Sequence, residues 1–479
     1  MFEHKRIGFA LVAVIALTLA VLPATQGQAT PARAQALGGL DVHYPNSLNT
    51  FMYFKDNTNI FLNPALIYRY KDYVGLSLGV SGGSFSGAGV SPYGGFLLEP
   101  GDSGFVFGVF LNRDPMLFGE QAALAPVVSN LISGGIGGSF NTSFQGGAGM
   151  SSVSPVFPLD AFVGGHFGDA TIGANVYVAG GLHRTTDNTA IDAPDFNDYL
   201  IDDRTAKSLY TAVRLGFHYE GSVEPGVYLG FSSLSAWADA FSYDTDQGMN
   251  DPYVSHTEGL KGTMRVLGGV RLAVPMDETT ITPHIGVAYA TGQTFVDENL
   301  GDKDTVENLA NNEFRSNGLN LNAGVGVTYE PVKSLKVIWT ASAHLQRTSL
   351  IVDDHLTMDK DHPDEAEDSR AVGTSTVYAA PVASVAAEYR PFKHLQLRGA
   401  VRANVLFARD DGRDISYYGQ DIAYDGISHD DQPSTPGLMA SFGLSVPLGV
   451  LAIDGTFGGL VMGNADMQFF SRMDMRVRW

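Results

Sequence analysis

The sequence predicts an all-β protein, a transmembrane antiparallel β-barrel of about sixteen strands, with roughly fourteen to eighteen as the range that the strand boundaries allow. Three observations predict it. Long stretches alternate strictly between apolar and polar residues. The connections between them alternate between short turns and long acidic segments. The chain opens on an export-type leader and closes on an aromatic residue.

The first element is the leader. Lys5 and Arg6 form a basic start, residues 7–22 are an apolar core, and the chain then turns small and polar up to Ala34-Gln35-Ala36. That A-x-A pattern marks a cleaved signal peptide, and the apolar run falls short of the ~20 residues of a spanning helix. The expected organisation is a signal peptide over 1–36, cleaved near Ala36, a plug segment over 37–72 and a barrel over 73–479. The outer membrane is therefore the expected location.

Within the plug segment, TNIFLNPALI (58–67) is apolar enough for a strand, but Pro64 removes a ladder donor. Asn63 before it is pushed to an extended or turn geometry. Phe61, Leu62, Leu66 and Ile67 still need burial, and the nearest dry volume is the lower lumen. The stretch is expected to latch inside the near mouth of the barrel rather than join its wall.

The wall strands come next. In 394–411, Leu395, Leu397, Val401, Ala403, Val405 and Phe407 share one face, and Gln396, Arg398, Arg402 and Asn404 share the other. In 334–346, Leu335, Val337, Trp339, Ala341, Ala343 and Leu345 oppose Lys336, Thr340, Ser342, His344 and Gln346. Residues 207–219, 263–274 and 317–329 alternate in the same way. Such runs are long for globular strands and suit membrane-crossing strands of ~9–11 residues. Closure follows, because lipid leaves no unpaired strand edge satisfied. Glycine blurs the alternation over 74–112.

Short connections rich in Gly, Pro and Asp fall at 99–104, 165–171, 220–226, 274–280, 329–334, 389–394 and 446–450. Long acidic ones fall at 185–205, 244–259, 296–312, 357–369 and 410–432. This asymmetry places both barrel ends on the short-turn side and long loops outside. At the C-terminus, Phe469, Met473, Met475, Val477 and Trp479 face one way and Gln468, Arg472, Asp474, Arg476 and Arg478 the other. An amphipathic last strand ending at Trp479 resembles the assembly signal of outer-membrane proteins. It implies the barrel-assembly machinery as a partner, alongside outer-membrane lipid and lipopolysaccharide.

Candidate functional residues form two sets. The segment 113–150 places Leu117, Leu124, Val127, Val128 and Leu131 at partly helical spacing, an external apolar helix that must bury itself at the mouth or in the lumen. Arg214, Arg265, Arg271, Arg398, Arg402, Arg472, Arg476 and Arg478 are expected to face inward. There they either set up a field across a pore or pair with wall acids. With no cysteines there is neither a disulfide nor a thiolate metal site. The acidic loops lack a calcium-loop pattern, His362 and His429 lack ligand spacing, and no cofactor or metal is expected. Gly75-Leu-Ser77-Leu-Gly79 matches a nucleophile motif, but no helix follows it, so no enzyme is expected. A net charge of −21 argues against nucleic acid.

Asn63-Pro64-Ala65-Leu66, preceded by Asp56, Asn57 and Asn59, resembles the plug of the outer-membrane long-chain fatty-acid transporter family (FadL-type). The external apolar helix at 117–134 resembles that family's extracellular helices. The resemblance implies a plugged barrel and passive uptake of a small hydrophobic solute. The family has fourteen strands where the hairpins here count to sixteen, and its Leu-Pro-rich motif has no clear equivalent. An aqueous porin with an arginine-lined lumen and a non-transporting surface or scaffold barrel are the alternatives.

Overall fold

Alternation decides which face of each strand meets lipid, and the fold follows from carrying that choice around a closed ring. The structure, a computed structural model, describes residues 31–37, 51–82, 93–113, 156–193, 196–244, 253–301, 306–355, 367–418, 421–462 and 469–478. Sixteen antiparallel strands form one barrel, each paired with its sequence neighbours. They are β1 Tyr73–Gly82, β2 Tyr93–Leu98, β3 Phe105–Leu111, β4 Val156–Phe167, β5 Ala170–Ala193, β6 Phe196–Tyr219, β7 Glu224–Asp244 and β8 Tyr253–Met276. There follow β9 Thr279–Gly301, β10 Val306–Val332, β11 Leu335–His355, β12 Glu367–Phe392, β13 Leu395–Tyr418, β14 Asp421–Leu448, β15 Leu451–Met462 and β16 Phe469–Arg478. The seam joins β1 to β16, with Tyr73 opposite Arg478 and Leu76 opposite Met475, and a bulge between Ser77 and Val80. Closure leaves no edge strand for lipid to face.

Exposure alternates along the wall. Val213 and Leu215 point out while Ala212, Arg214 and Gly216 are buried, and Val401 points out while Ala400 and Arg402 are buried. The outward apolar residues form the belt a bilayer requires. Among the described residues, no helix is long and apolar enough to cross a membrane. Turns at the end carrying Tyr73 and Arg478 are tight, and Gly168 and Asp277 take left-handed φ of 64° and 49° there.

Three of the acidic segments differ from the loops expected of them. Most of 185–205 continues β5 and β6, paired as far as Ala193 opposite Phe196. Likewise β9–β10 pair to Gly301 opposite Val306, and β13–β14 to Tyr418 opposite Asp421. Beyond the apolar belt nothing demands apolar alternation, yet each further ladder step still pairs backbone donors and acceptors. These three external connections are thus long hairpins, while residues 245–252 and 357–366 of the other two acidic segments lie outside the described residues. In the glycine-rich region, β1, β2 and β3 are all short. Residues 114–155, with Leu117, Leu124, Val127, Val128 and Leu131, lie outside the described residues, as does Trp479.

The lumen at the tight-turn end holds helix α1, Pro31–Ala36, and three 3₁₀ turns at Phe51–Tyr53, Asn57–Phe61 and Pro64–Tyr70. They pack against β3–β6, β9–β10 and β13–β16, so the plug reaches walls on all sides.

Val213→Arg puts a charge on the lipid face mid-belt and is expected to cost about 2–4 kcal/mol. Urea unfolding of the barrel reconstituted in vesicles measures it; an unchanged midpoint refutes the assigned outward face.

Candidate functional site

The plug is built from two capping residues. Asp56 starts the second 3₁₀ turn, its Oδ1 accepting from Thr58 N at 3.0 Å and Thr58 Oγ1 at 2.8 Å. Asn63 starts the third, its Oδ1 accepting from Ala65 N at 3.1 Å, with Pro64 at the first helical position. Both placements satisfy turn donors that the chain cannot pair internally, and proline there forfeits no needed donor. Asn63 Nδ2 also donates to Phe217 O on β6 at 3.1 Å. The turn is thereby tied to the wall.

The wall is shaped to receive it. Gly164, Gly173 and Gly216 sit opposite one another on β4, β5 and β6. A Cβ on Gly173 would lie 2.3 Å from Pro64 O, and one on Gly216 2.0 Å from Asn63 Oδ1. Asn63-Pro64-Ala65-Leu66 therefore docks on bare backbone, which only glycine allows.

One flank of the plug is aromatic. Phe61 meets Phe110 edge-on at 5.3 Å, Phe162 at 5.7 Å and Tyr93 at 6.3 Å between ring centres. Ile60, Leu66 and Ile67 are buried beside it. The Arg113 guanidinium lies over Phe61 at 4.5 Å and over Tyr177 at 4.8 Å. It pairs with Asp160 at 2.8 Å through Nη2 and more closely through Nε. Asn175 donates to Asp160 at 3.0 Å and accepts from Arg214 at 3.0 Å. A small cavity remains between plug and wall, lined by Phe61, Tyr73, Tyr93 and Phe110 with Asn57 and Arg476. At about 20 Å³ it has room for about one water, and Thr58, Ser77 and Asp474 complete a lining of mixed aromatic and polar groups.

The other flank is ionic. Arg33 on α1 donates to both oxygens of Glu388 on β12, at 2.7 and 2.6 Å, and to Asp56 Oδ2 at 2.9 Å. Glu388 also accepts from Arg398 at 2.9 Å, and Arg398 reaches Asp454 on β15 at 2.6 Å. Burial opposes the Arg33 charge, but Glu388 and Asp56 hold it above arginine's ordinary value. Burial also raises the Asp56 carboxyl, against the pull of Arg33, and pushes the Tyr53 and Tyr70 phenols up to about 12. At the rim Arg69 donates to Glu220 and Glu224 at 3.1 Å each, and Lys71 pairs closely with Glu99.

The arginines singled out from the sequence fall into distinct places. Arg271 donates to Met52 O of the plug at 2.7 Å. Arg472 donates to Ser77 Oγ on β1 at 2.7 Å and to Asp474 at 3.2 Å, bridging the seam beside the plug. Arg476 lines the cavity, Arg265 and Arg402 are buried on β8 and β13, and Arg478 is half-buried at the mouth. Their described contacts are with the plug and with wall residues. Ser77 of the nucleophile-like motif lies within β1, on a strand rather than at a strand-to-helix turn. Among the described residues, no group of three His, Asp or Glu is placed to hold a metal. Arg33, Arg113, Asp160, Glu388 and Asp454 escaped the sequence reading. Only the inward phase of Glu388 and Asp454 in their strands pointed to the last two.

No family model matches the chain, and no curated protein matches it. Three solved structures follow a similar course. The toluene transporter TbuX of Ralstonia pickettii is 12% identical at a TM-score of 0.39, over 94% of this chain and 99% of its own. The monoaromatic hydrocarbon channel CymD is 11% identical at 0.38, over 94% and 98%. The toluene transporter TodX of Pseudomonas putida is 12% identical at 0.35, over 95% and 98%.

Two substitutions test the seat of the plug. Gly216→Val should expel Asn63 from its dock while leaving the barrel folded. Trypsin cleavage after Arg69 in the intact barrel should then rise at least roughly tenfold, the effect of losing about 1.4 kcal/mol of protection. Phe61→Ala removes the centre of the aromatic flank and should cost about 3–5 kcal/mol, read by the same protection assay. Unchanged cleavage in both variants would refute the docking geometry.

Proposed function

We propose that the protein is an outer-membrane transporter that carries small hydrophobic solutes passively through a plugged barrel. The observation that supports this reading best is the aromatic flank where plug meets wall, with Phe61 packed edge-on against Tyr93, Phe110 and Phe162. A small apolar molecule entering it gains about 25 cal/mol per Å² of surface removed from water, and no energy source is needed. The aqueous-porin alternative loses ground because the plug spans the mouth and Arg271, Arg398 and Arg472 bind the plug or wall residues. The outer-membrane setting brings lipid and lipopolysaccharide as partners, and the barrel-assembly machinery through the strand that ends at Trp479.

Cells with a lipopolysaccharide outer leaflet, with and without the protein, test the transport claim. Labelled toluene, the solute named for the similar structures, should enter several-fold faster with the protein, while a labelled hydrophilic sugar should not. Equal toluene rates, or a matching rise for the sugar, would overturn the reading. In planar bilayers the full protein should conduct weakly, and deletion of residues 37–72 should produce large, salt-linear currents. Large currents from the undeleted protein would reject the plug.

A further inference from the structure

The lumen is fitted to a helix that cleavage after Ala36 would remove. Ala32, Ala34 and Ala36 of α1 are fully buried. Ser441 Oγ on β14 donates to Ala36 O at 3.0 Å, and a Cβ on Gly443 of the same strand would lie 2.5 Å from Ala36 Cβ. Arg33 is 5% exposed and joins three parts of the molecule: Glu388 of the wall, Asp56 of the next plug turn and, at 3.0 Å, the Lys55 carbonyl. Asp56 is fully buried, and its ion pair is with Arg33. Loss of residues 31–36 would leave that carboxylate in the interior without its cation. It would also remove the Ala36 methyl for which Gly443 makes room.

We propose that the leader is removed between Ala29 and Thr30, so that Pro31–Ala36 remains in the exported protein and clamps the plug to β12–β16. Gly27 and Ala29 supply small side chains at the two positions a signal-cleaving peptidase reads, and they lie closer to the apolar core at 7–22 than Ala34 and Ala36 do. The small residues at Ala34 and Ala36 have another cause: α1 packs against backbone, where larger side chains do not fit. The step is hydrolysis by an export-linked endopeptidase. Water adds across the Ala29–Thr30 amide, the C–N bond breaks, the hydroxyl goes to the Ala29 carbonyl carbon and the proton to the new Thr30 amine.

The inference rests on the export reading of residues 1–29, and the test separates the two. The full chain is expressed with its leader, the folded barrel is recovered from outer membranes, and its N-terminus is sequenced. A start at Thr30 is expected. A start at Leu37, or anywhere else downstream of Met1, overturns the assigned site while leaving export intact; an uncut chain starting at Met1 overturns export as well. Ala29→Arg should reduce processing at least tenfold, and Ala36→Arg should leave the processed start at Thr30, both read on the total exported chain, folded or not. The reverse pattern overturns the proposal.

Discussion

A backbone amide in hydrocarbon has only another strand to bond with, and the rest of this molecule depends on that constraint. It forces the ring to close at the β1–β16 seam, where Tyr73 pairs with Arg478 and Leu76 with Met475. Closure in turn creates an interior that lipid cannot fill. In a sixteen-strand ring that interior is wide, and wall side chains alone do not close it. The chain closes the tight-turn end with its own preceding segment. The segment inside the lumen is thus a consequence of how many strands the ring contains.

The wall and plug solve the resulting packing problem with opposite chemistry on opposite flanks. Along β4–β6 the wall withdraws its side chains, and Gly164, Gly173 and Gly216 let the Asn63–Leu66 turn approach backbone directly. Along β12–β15 the wall extends its side chains, and Glu388, Arg398 and Asp454 make a buried chain of charges that Arg33 completes. Such a chain adds little net stability against an apolar substitute of the same shape, but it tolerates few geometries. It therefore sets where the plug sits, while the aromatic packing around Phe61 buries apolar surface on the other flank.

The strands were legible in the sequence because lipid and lumen impose different chemistry on alternate residues, as at Val401 and Arg402 or Trp339 and Thr340. The alternation faded over 74–112 for a reason the structure makes plain: inward residues there face the plug closely, and Gly75 and Gly95 stand where polar residues otherwise would. The acidic hairpins read as loops because outside the belt the ladder continues without any apolar requirement. Pro64 was legible as a break in the ladder, and it stands at the start of a 3₁₀ turn rather than in a wall strand. Arg113 with Asp160, and Arg33 with Glu388, were not legible. Those partners are brought together by barrel closure, and no local pattern encodes a pairing across the lumen.

The division of the plug into an aromatic and an ionic flank bears on how a solute could pass. Contacts between Phe61 and Phe110 or Phe162 are of the same kind that an apolar solute itself makes, so a solute entering the recess replaces them at little cost. The contacts of Arg33 with Glu388 and Asp56 are of a kind that an apolar solute does not offer, and separating them exposes buried charge. In the proposed transport, an apolar solute would therefore part the plug from the wall along β2–β5, with the ionic side holding as the anchor. A polar or charged solute faces the reverse situation: it gains nothing from the aromatic recess and meets arginines already engaged. In the proposed function, discrimination against hydrophilic solutes would then follow from which flank yields, without any need for a selective pore.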